Sequence, residues 1–131
     1  MYTTMKAMKS LIIFSLLLAY GLTASADGNN NLVYNSEEVN GVMVGQTVYK
    51  MEGSSLVNYM KYSYTYDDQQ RMTENLSQRW NSTRQAWEND ICLRYTYEGK
   101  TTTTEYYKWN AKKKTFVLVP EMTVTMDNSV N

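Results

Sequence analysis

The chain has 131 residues, with 13 Lys and Arg balanced by 13 Asp and Glu, no histidine, one cysteine and one proline. That length fits one small domain, and 43% hydrophobic residues with 12 Tyr and 3 Trp argue against disorder. The missing histidines exclude Ser-His-Asp and Cys-His catalysis and histidine-ligated metals, a lone cysteine excludes an internal disulfide, and the even charge gives no footprint for nucleic acid.

Lys6 and Lys9 precede an apolar run from Leu11 to Leu22, followed by Thr23-Ala24-Ser25-Ala26. A basic start, a short apolar core and an Ala-x-Ala site are the parts of a secretory signal peptide. The run is 12 residues, and a helix needs roughly 20 to span a bilayer. Residues 1–26 are therefore expected to form a signal helix, cleaved after Ala26 to leave Asp27 first. Met1, Met5 or Met8 could each start it. The sole cysteine, Cys92, is far from this site, so no lipid-anchored N-terminus is expected, and membrane contact is confined to the uncleaved signal. The mature chain is expected in the periplasm or outside the cell.

Residues 27–41 read as a flexible leader, polar and without periodicity, with Glu37 to Gly41 turn-like. From Val42 onward Thr, Val and Tyr dominate and apolar residues alternate with polar ones, so 42–131 reads as a single β domain. Met60, Tyr62, Tyr64 and Tyr66 share one strand face, as do Ile91, Leu93, Tyr95 and Tyr97 on another. Cys92, between Ile91 and Leu93, reads as a half-buried, unreactive thiol. Thr101 to Trp109 is a further strand, Phe116 to Val119 a short one ended by Pro120, and Met122, Val124 and Met126 alternate with threonines. Turn signals every 10 to 15 residues imply sequential hairpins. The expected fold is all-β: an antiparallel meander of six to eight strands.

Within it lies an internal repeat. Tyr64-Thr65-Tyr66-Asp67 precedes Trp80-Asn81 and Trp87, while Tyr95-Thr96-Tyr97-Glu98 precedes Trp109-Asn110 and Phe116, the Trp-Asn pairs standing 29 residues apart. The hairpin repeats span 64–87 and 95–116, with Asn favouring each bend and the flanking aromatics packing across the strands. The Tyr-x-Tyr-Asp, Trp-Asn and Trp/Phe pattern behind a Lys-containing signal resembles an uncharacterised family of small secreted β-rich proteins from Gram-negative gut anaerobes, known only as a domain of unknown function. The resemblance covers most of residues 30–126. The pattern is more loosely similar to the Tyr-Asp repeats of bacterial surface and toxin-shell proteins, although Gln70-Arg71 replaces their usual Gly-Arg. Neither resemblance implies an activity or catalytic residues.

The residues themselves offer no acid/base constellation. Asp67 and Asp68 are adjacent on a turn, with Glu74 nearby, and adjacent residues at a strand end point to opposite faces. No catalytic, metal-binding or cofactor-binding residues are assigned, and no cofactor is expected. Lys112, Lys113 and Lys114 at a hairpin tip fit a solvated edge or a dock for an anionic glycan or acidic partner. Tyr106, out of register with Tyr107 and Trp109, is the first candidate for an exposed binding aromatic. Tyr64, Tyr66, Trp80, Trp87, Tyr95, Tyr97, Trp109 and Phe116 are read as structural. The expectation is an exported, non-enzymatic protein that binds an unknown protein or glycan through a Tyr/Trp-rich sheet face. The alternative is an assembly element pairing, with its own copies among others, through exposed strand edges; a carboxylate-based hydrolase comes last.

Overall fold

The computed structural model describes residues 19–24 and 31–129, with side chains for 31–129. Strands β1 (Ala19–Ala24), β2 (Leu32–Val39), β3 (Val42–Glu52), β4 (Ser55–Tyr66), β5 (Met72–Asn81), β6 (Ala86–Glu98), β7 (Thr101–Asn110) and β8 (Thr115–Leu118) follow each other in one antiparallel sheet. Each pairs with its neighbour in sequence, so the topology is a meander, not closed into a barrel. A ninth strand, β9 (Val124–Asp127), also pairs with β7.

Loop chemistry explains this succession. Asn40 and Gly41 take φ values of 52° and 77°, the doubly left-handed pair of a type I′ turn. Gly53 and Gly99 open two-residue loops at φ 63° and 57° with no positive φ at the following residue, as a II′ turn requires. Register shifts lie in four successive strand pairs, from β2–β3 through β5–β6. Such bulges increase the local twist and bend of a sheet.

One expectation needs correction. Residues 32–39, placed in the flexible leader, form β2, which pairs with β3 from Val42 to Lys50. The Asn40-Gly41 dipeptide is the strongest short hairpin signal, and Leu32, Val33 and Tyr34 supply the apolar residues that let the chain return beside β3. The signal helix expected over residues 1–26 falls mostly outside the described residues, at 1–18, 25 and 26. Ala19–Ala24 are described, and they pair with β2 as strand β1. The physical reason is that the free edge of β2 offers a row of backbone N–H and C=O groups to any extended segment nearby.

At the other edge β8 covers Tyr107–Asn110 and β9 covers Thr101–Thr104, separated by a 3-10 turn at Pro120–Met122. Pro120 has no N–H to give a ladder, so the covering strand breaks there and resumes at Val124.

Because directly opposed residues share a face, the registers sort the side chains. One face carries the row Gln46, Tyr62, Ser77, Ile91, Lys108 and Val117, beside the row Tyr64, Asn75, Leu93 and Tyr106. The other carries Ser63, Leu76, Cys92, Tyr107 and Leu118, with the Trp80–Trp87 and Trp109–Phe116 pairs toward one end. The sheet is a single layer. Among the described side-chain positions, only Gly45, Val48, Ser77, Cys92 and Thr102 are buried, Val48 at 3% and Cys92 at 1% exposure. Cross-strand side-chain rows on the two faces, with edge-to-face ring pairs at Trp80–Trp87 and Trp109–Phe116, stand in for a closed interior.

Candidate functional site

The two Trp-Asn turns are built alike. Asn81 Oδ1 accepts the backbone N–H of Arg84 at 3.0 Å, and Asn110 Oδ1 accepts those of Lys112 and Lys113 at 3.1 and 3.0 Å. Each turn ends on a left-handed residue, Gln85 at φ 50° and Lys114 at φ 51°. Before and after the turns, Trp80 opposes Trp87 and Trp109 opposes Phe116. Both ring pairs are edge-to-face, with centroids 5.1 and 5.0 Å apart and planes at 65° and 63°. A short polar side chain that caps the bend, with an aromatic on either side, produces the same hairpin end twice.

Between these hairpin ends lies a cleft of roughly 600 Å³, lined by Trp87, Trp109, Gln78, Asn81, Arg84, Glu88, Asn89, Ala111 and Lys114. Its polar groups are arranged in two linked sets. Gln78 Nε2 donates to Asn89 Oδ1 at 3.0 Å, which leaves the Gln78 carbonyl and the Asn89 amide available. Glu88 Oε1 accepts from Asn81 Nδ2 at 2.8 Å and faces Arg84 Nη1 at 3.3 Å. Among the described residues no carboxylate forms an ion pair with Lys114. The cleft thus combines aromatic rings, unused amide groups and a cation without a carboxylate partner.

The opposite face holds most of the tyrosines, among them Tyr62, Tyr64 and Tyr106. Tyr66 Oη donates to the Met43 carbonyl and Tyr97 Oη to the Met72 carbonyl, both at 2.6 Å. Arg71 lies over the Tyr97 ring, 4.5 Å from its centroid. Burial pushes the Tyr62, Tyr64 and Tyr66 hydroxyls above their ordinary value of 10.0, and neighbouring tyrosines push Tyr62 and Tyr64 further in the same direction. A smaller cleft here, about 380 Å³, is lined by Met60, Tyr62, Asn75, Ser77, Arg79, Asp90, Ile91, Leu93 and Tyr106. Asp90 is the residue left over at the β5–β6 bulge, and it meets Arg79 Nε at 2.8 Å.

The sequence-based candidates do not converge on one site. Tyr106, expected to be exposed, is half-buried: it opposes Leu93, and its carbonyl accepts the Val119 N–H at 2.9 Å. β7 is flanked on both sides, so an aromatic on either of its faces has neighbours to pack against. The three lysines also part. Lys114 lines the cleft between the turns, Lys112 borders a separate recess with Trp109 and Val117, and Lys113 lines neither. Trp87 and Trp109, read as structural, also line this cleft. Gln78 and Asn89 escaped notice, although each stands two residues from a tryptophan and therefore on its face.

Two of the acidic residues near the first Tyr-x-Tyr-Asp turn, Asp67 and Glu74, are engaged in local structure. Asp67 accepts the backbone N–H groups of Gln69 and Arg71 at 2.9 Å and pairs with Arg71 Nε at 2.8 Å; those bonds hold its carboxyl below the usual 3.8. Glu74 pairs with Arg94 Nε at 3.4 Å. Among the described residues no three Cys, Asp or Glu side chains are grouped to hold a metal ion.

Comparison with known families matches residues 1–127 to DUF3836, a family of unknown function. The chain belongs to this family. The DUF3836 chain is 61% identical to a crystallised DUF3836 protein from Bacteroides vulgatus, covering 75% of itself and 100% of that chain with a TM-score of 0.72. A DUF3836 protein from Parabacteroides distasonis is 24% identical over 76% of this chain and 93% of its own, with a TM-score of 0.66. A Bacteroides fragilis protein of unknown function is also 24% identical, over 79% and 77%, with a TM-score of 0.69. The last two share the fold. No curated protein matches the chain.

Proposed function

We propose that this DUF3836 protein is an exported, non-enzymatic sheet protein that binds an envelope or extracellular partner through its aromatic surface. One observation carries the reading: the internal repeat brings Trp87 and Trp109 to a single cleft with hydrogen-bonding groups left over. A few polar groups among aromatic walls is the usual make-up of a binding site, and Tyr and Trp are preferred anchors. Export is supported by Lys6, Lys9, the apolar run and Ala24-Ser25-Ala26, and the family match includes this segment. Asp67 and Glu74 are each tied to an arginine, which speaks against a shared acid/base role.

The reading is tested with purified protein and separated envelope glycan and protein fractions, comparing Trp87→Ala with the native chain. Trp87→Ala is expected to lose binding to the recognised fraction while circular dichroism stays β. Unchanged binding to that fraction overturns the cleft as the site.

A second reading, assembly through strand edges, is favoured by β1 lying on β2. Removal of residues 1–26 would bare that edge. Against it, β2 carries Glu37 and Glu38 at a bulge, and the far edge is broken at Pro120. Charges, bulges and proline are the devices that keep edges from pairing.

A further inference from the structure

We infer that the cleft between the two Trp-Asn turns takes an acidic saccharide, a sugar chain bearing carboxylate or sulfate groups. This rests on the binding reading above and names its ligand class. A sugar ring presents a flat C–H surface and a rim of hydroxyls, each both donor and acceptor. Trp87 and Trp109 supply aromatic surface for the first. For the second, the Gln78–Asn89 hydrogen bond uses one donor and one acceptor and leaves a carbonyl and an amide N–H, a matched pair for neighbouring hydroxyls. A purely apolar peptide would leave both unpaired on burial, which costs affinity.

The charge comes from the turns. Glu88 is the lining carboxylate, and it is already engaged by Asn81 and Arg84. Lys114 has no carboxylate partner among the described residues, so the cleft carries one positive charge in excess. Its volume of roughly 600 Å³ lies within the range of small-ligand sites.

All three tryptophans belong to the ring pairs beside this cleft, so their fluorescence reports on it directly. The probes are trigalacturonate, a sulfated galactose trisaccharide, neutral galactotriose and an oligoglutamate peptide. At least one acidic sugar is expected to shift the emission and bind about tenfold or more tightly than galactotriose, with affinity falling as salt rises. The two acidic probes separate a carboxylate reader from a sulfate reader. Arg84→Gln and Lys114→Gly are each expected to weaken that binding about five- to tenfold. Lys114→Gly also relieves a left-handed non-glycine residue, so its loss of binding cannot be attributed to a weakened turn.

Galactotriose binding equal to the acidic sugars, or oligoglutamate binding as well as they do, overturns the inference. So does the absence of any saccharide response. In that last case, Trp87-dependent capture of an envelope protein would leave the broader binding reading standing.

Discussion

Cys92 and Tyr106 show how one residue of sheet depth decides chemistry. Cys92 opposes Leu76 and Tyr107 and is 1% exposed, and burial pushes its thiol above the ordinary range. Thiolate is the reactive form, so both access and ionisation are suppressed. Iodoacetamide is expected to leave the native protein unlabelled and to alkylate Cys92 fully in denaturant, read by mass spectrometry. Labelling of the native protein at the denatured rate would contradict this placement. Tyr106 sits among Met60, Tyr62, Ile91 and Leu93. Truncating a large half-buried side chain costs more than a surface change, so Tyr106→Ala is expected to destabilise by about 1–3 kcal/mol. Urea unfolding measures it. A loss within about 0.5 kcal/mol would mean that the ring contributes surface rather than packing.

Among elements, the Asn-led hairpin end is the repeated unit. Its bend depends on one side-chain oxygen, and Asn110 satisfies two backbone N–H groups where Asn81 satisfies one. Each such hydrogen bond contributes about 0.5–1.5 kcal/mol net. Asn110→Ala is therefore expected to cost about 1–2 kcal/mol in urea unfolding, through two lost bonds. Its Trp109–Phe116 pair should loosen with the turn, visible as a change in near-ultraviolet circular dichroism. An unchanged midpoint would assign the bend to the ring pair alone. The edges differ in design. β8 and β9 are short and interrupted, whereas β2, an edge only once residues 1–26 are removed, is continuous and carries Glu37, Glu38 and a bulge.

For the whole molecule, a single-layer sheet places its stability in the faces. The tyrosine face spans several strands, and partial burial pushes the Tyr62, Tyr64 and Tyr66 hydroxyls above their ordinary value of 10.0. A group whose folded value is raised adds stability that is complete below the unfolded value and is lost as pH climbs through the folded one. The protein is expected to resist alkali up to about pH 10 and then unfold cooperatively as the phenolate absorbance rises. Phenolate formation completed below that point with the fold intact would show the ring hydroxyls to be solvated. At the same scale, protein recovered from the cell envelope is expected to begin at Asp27 by mass spectrometry. A mass retaining residues 1–26 would remove the case for export.

Much of this architecture was legible in one dimension. Strand alternation at Met60 to Tyr66 and Ile91 to Tyr97, the turn residues and the two Trp-Asn units are local features, and a meander joins each strand to its neighbour in sequence. That is why the order of strands follows from the order of motifs. Gln78 and Asn89 were within reach of the same period-two reasoning from Trp80 and Trp87. What lay beyond it depends on pairing across strands. The bulge that frees Asp90 to meet Arg79, the parting of Lys112 from Lys114 and the flanking of Tyr106 by β6 and by the turn after β8 have no signature in a single strand. The cleft itself arises because the pairing of β6 with β7 sets the β5–β6 and β7–β8 hairpin ends side by side. Local residues determined the strands and turns; pairing and register, which act only between strands, decided which side chains share a site.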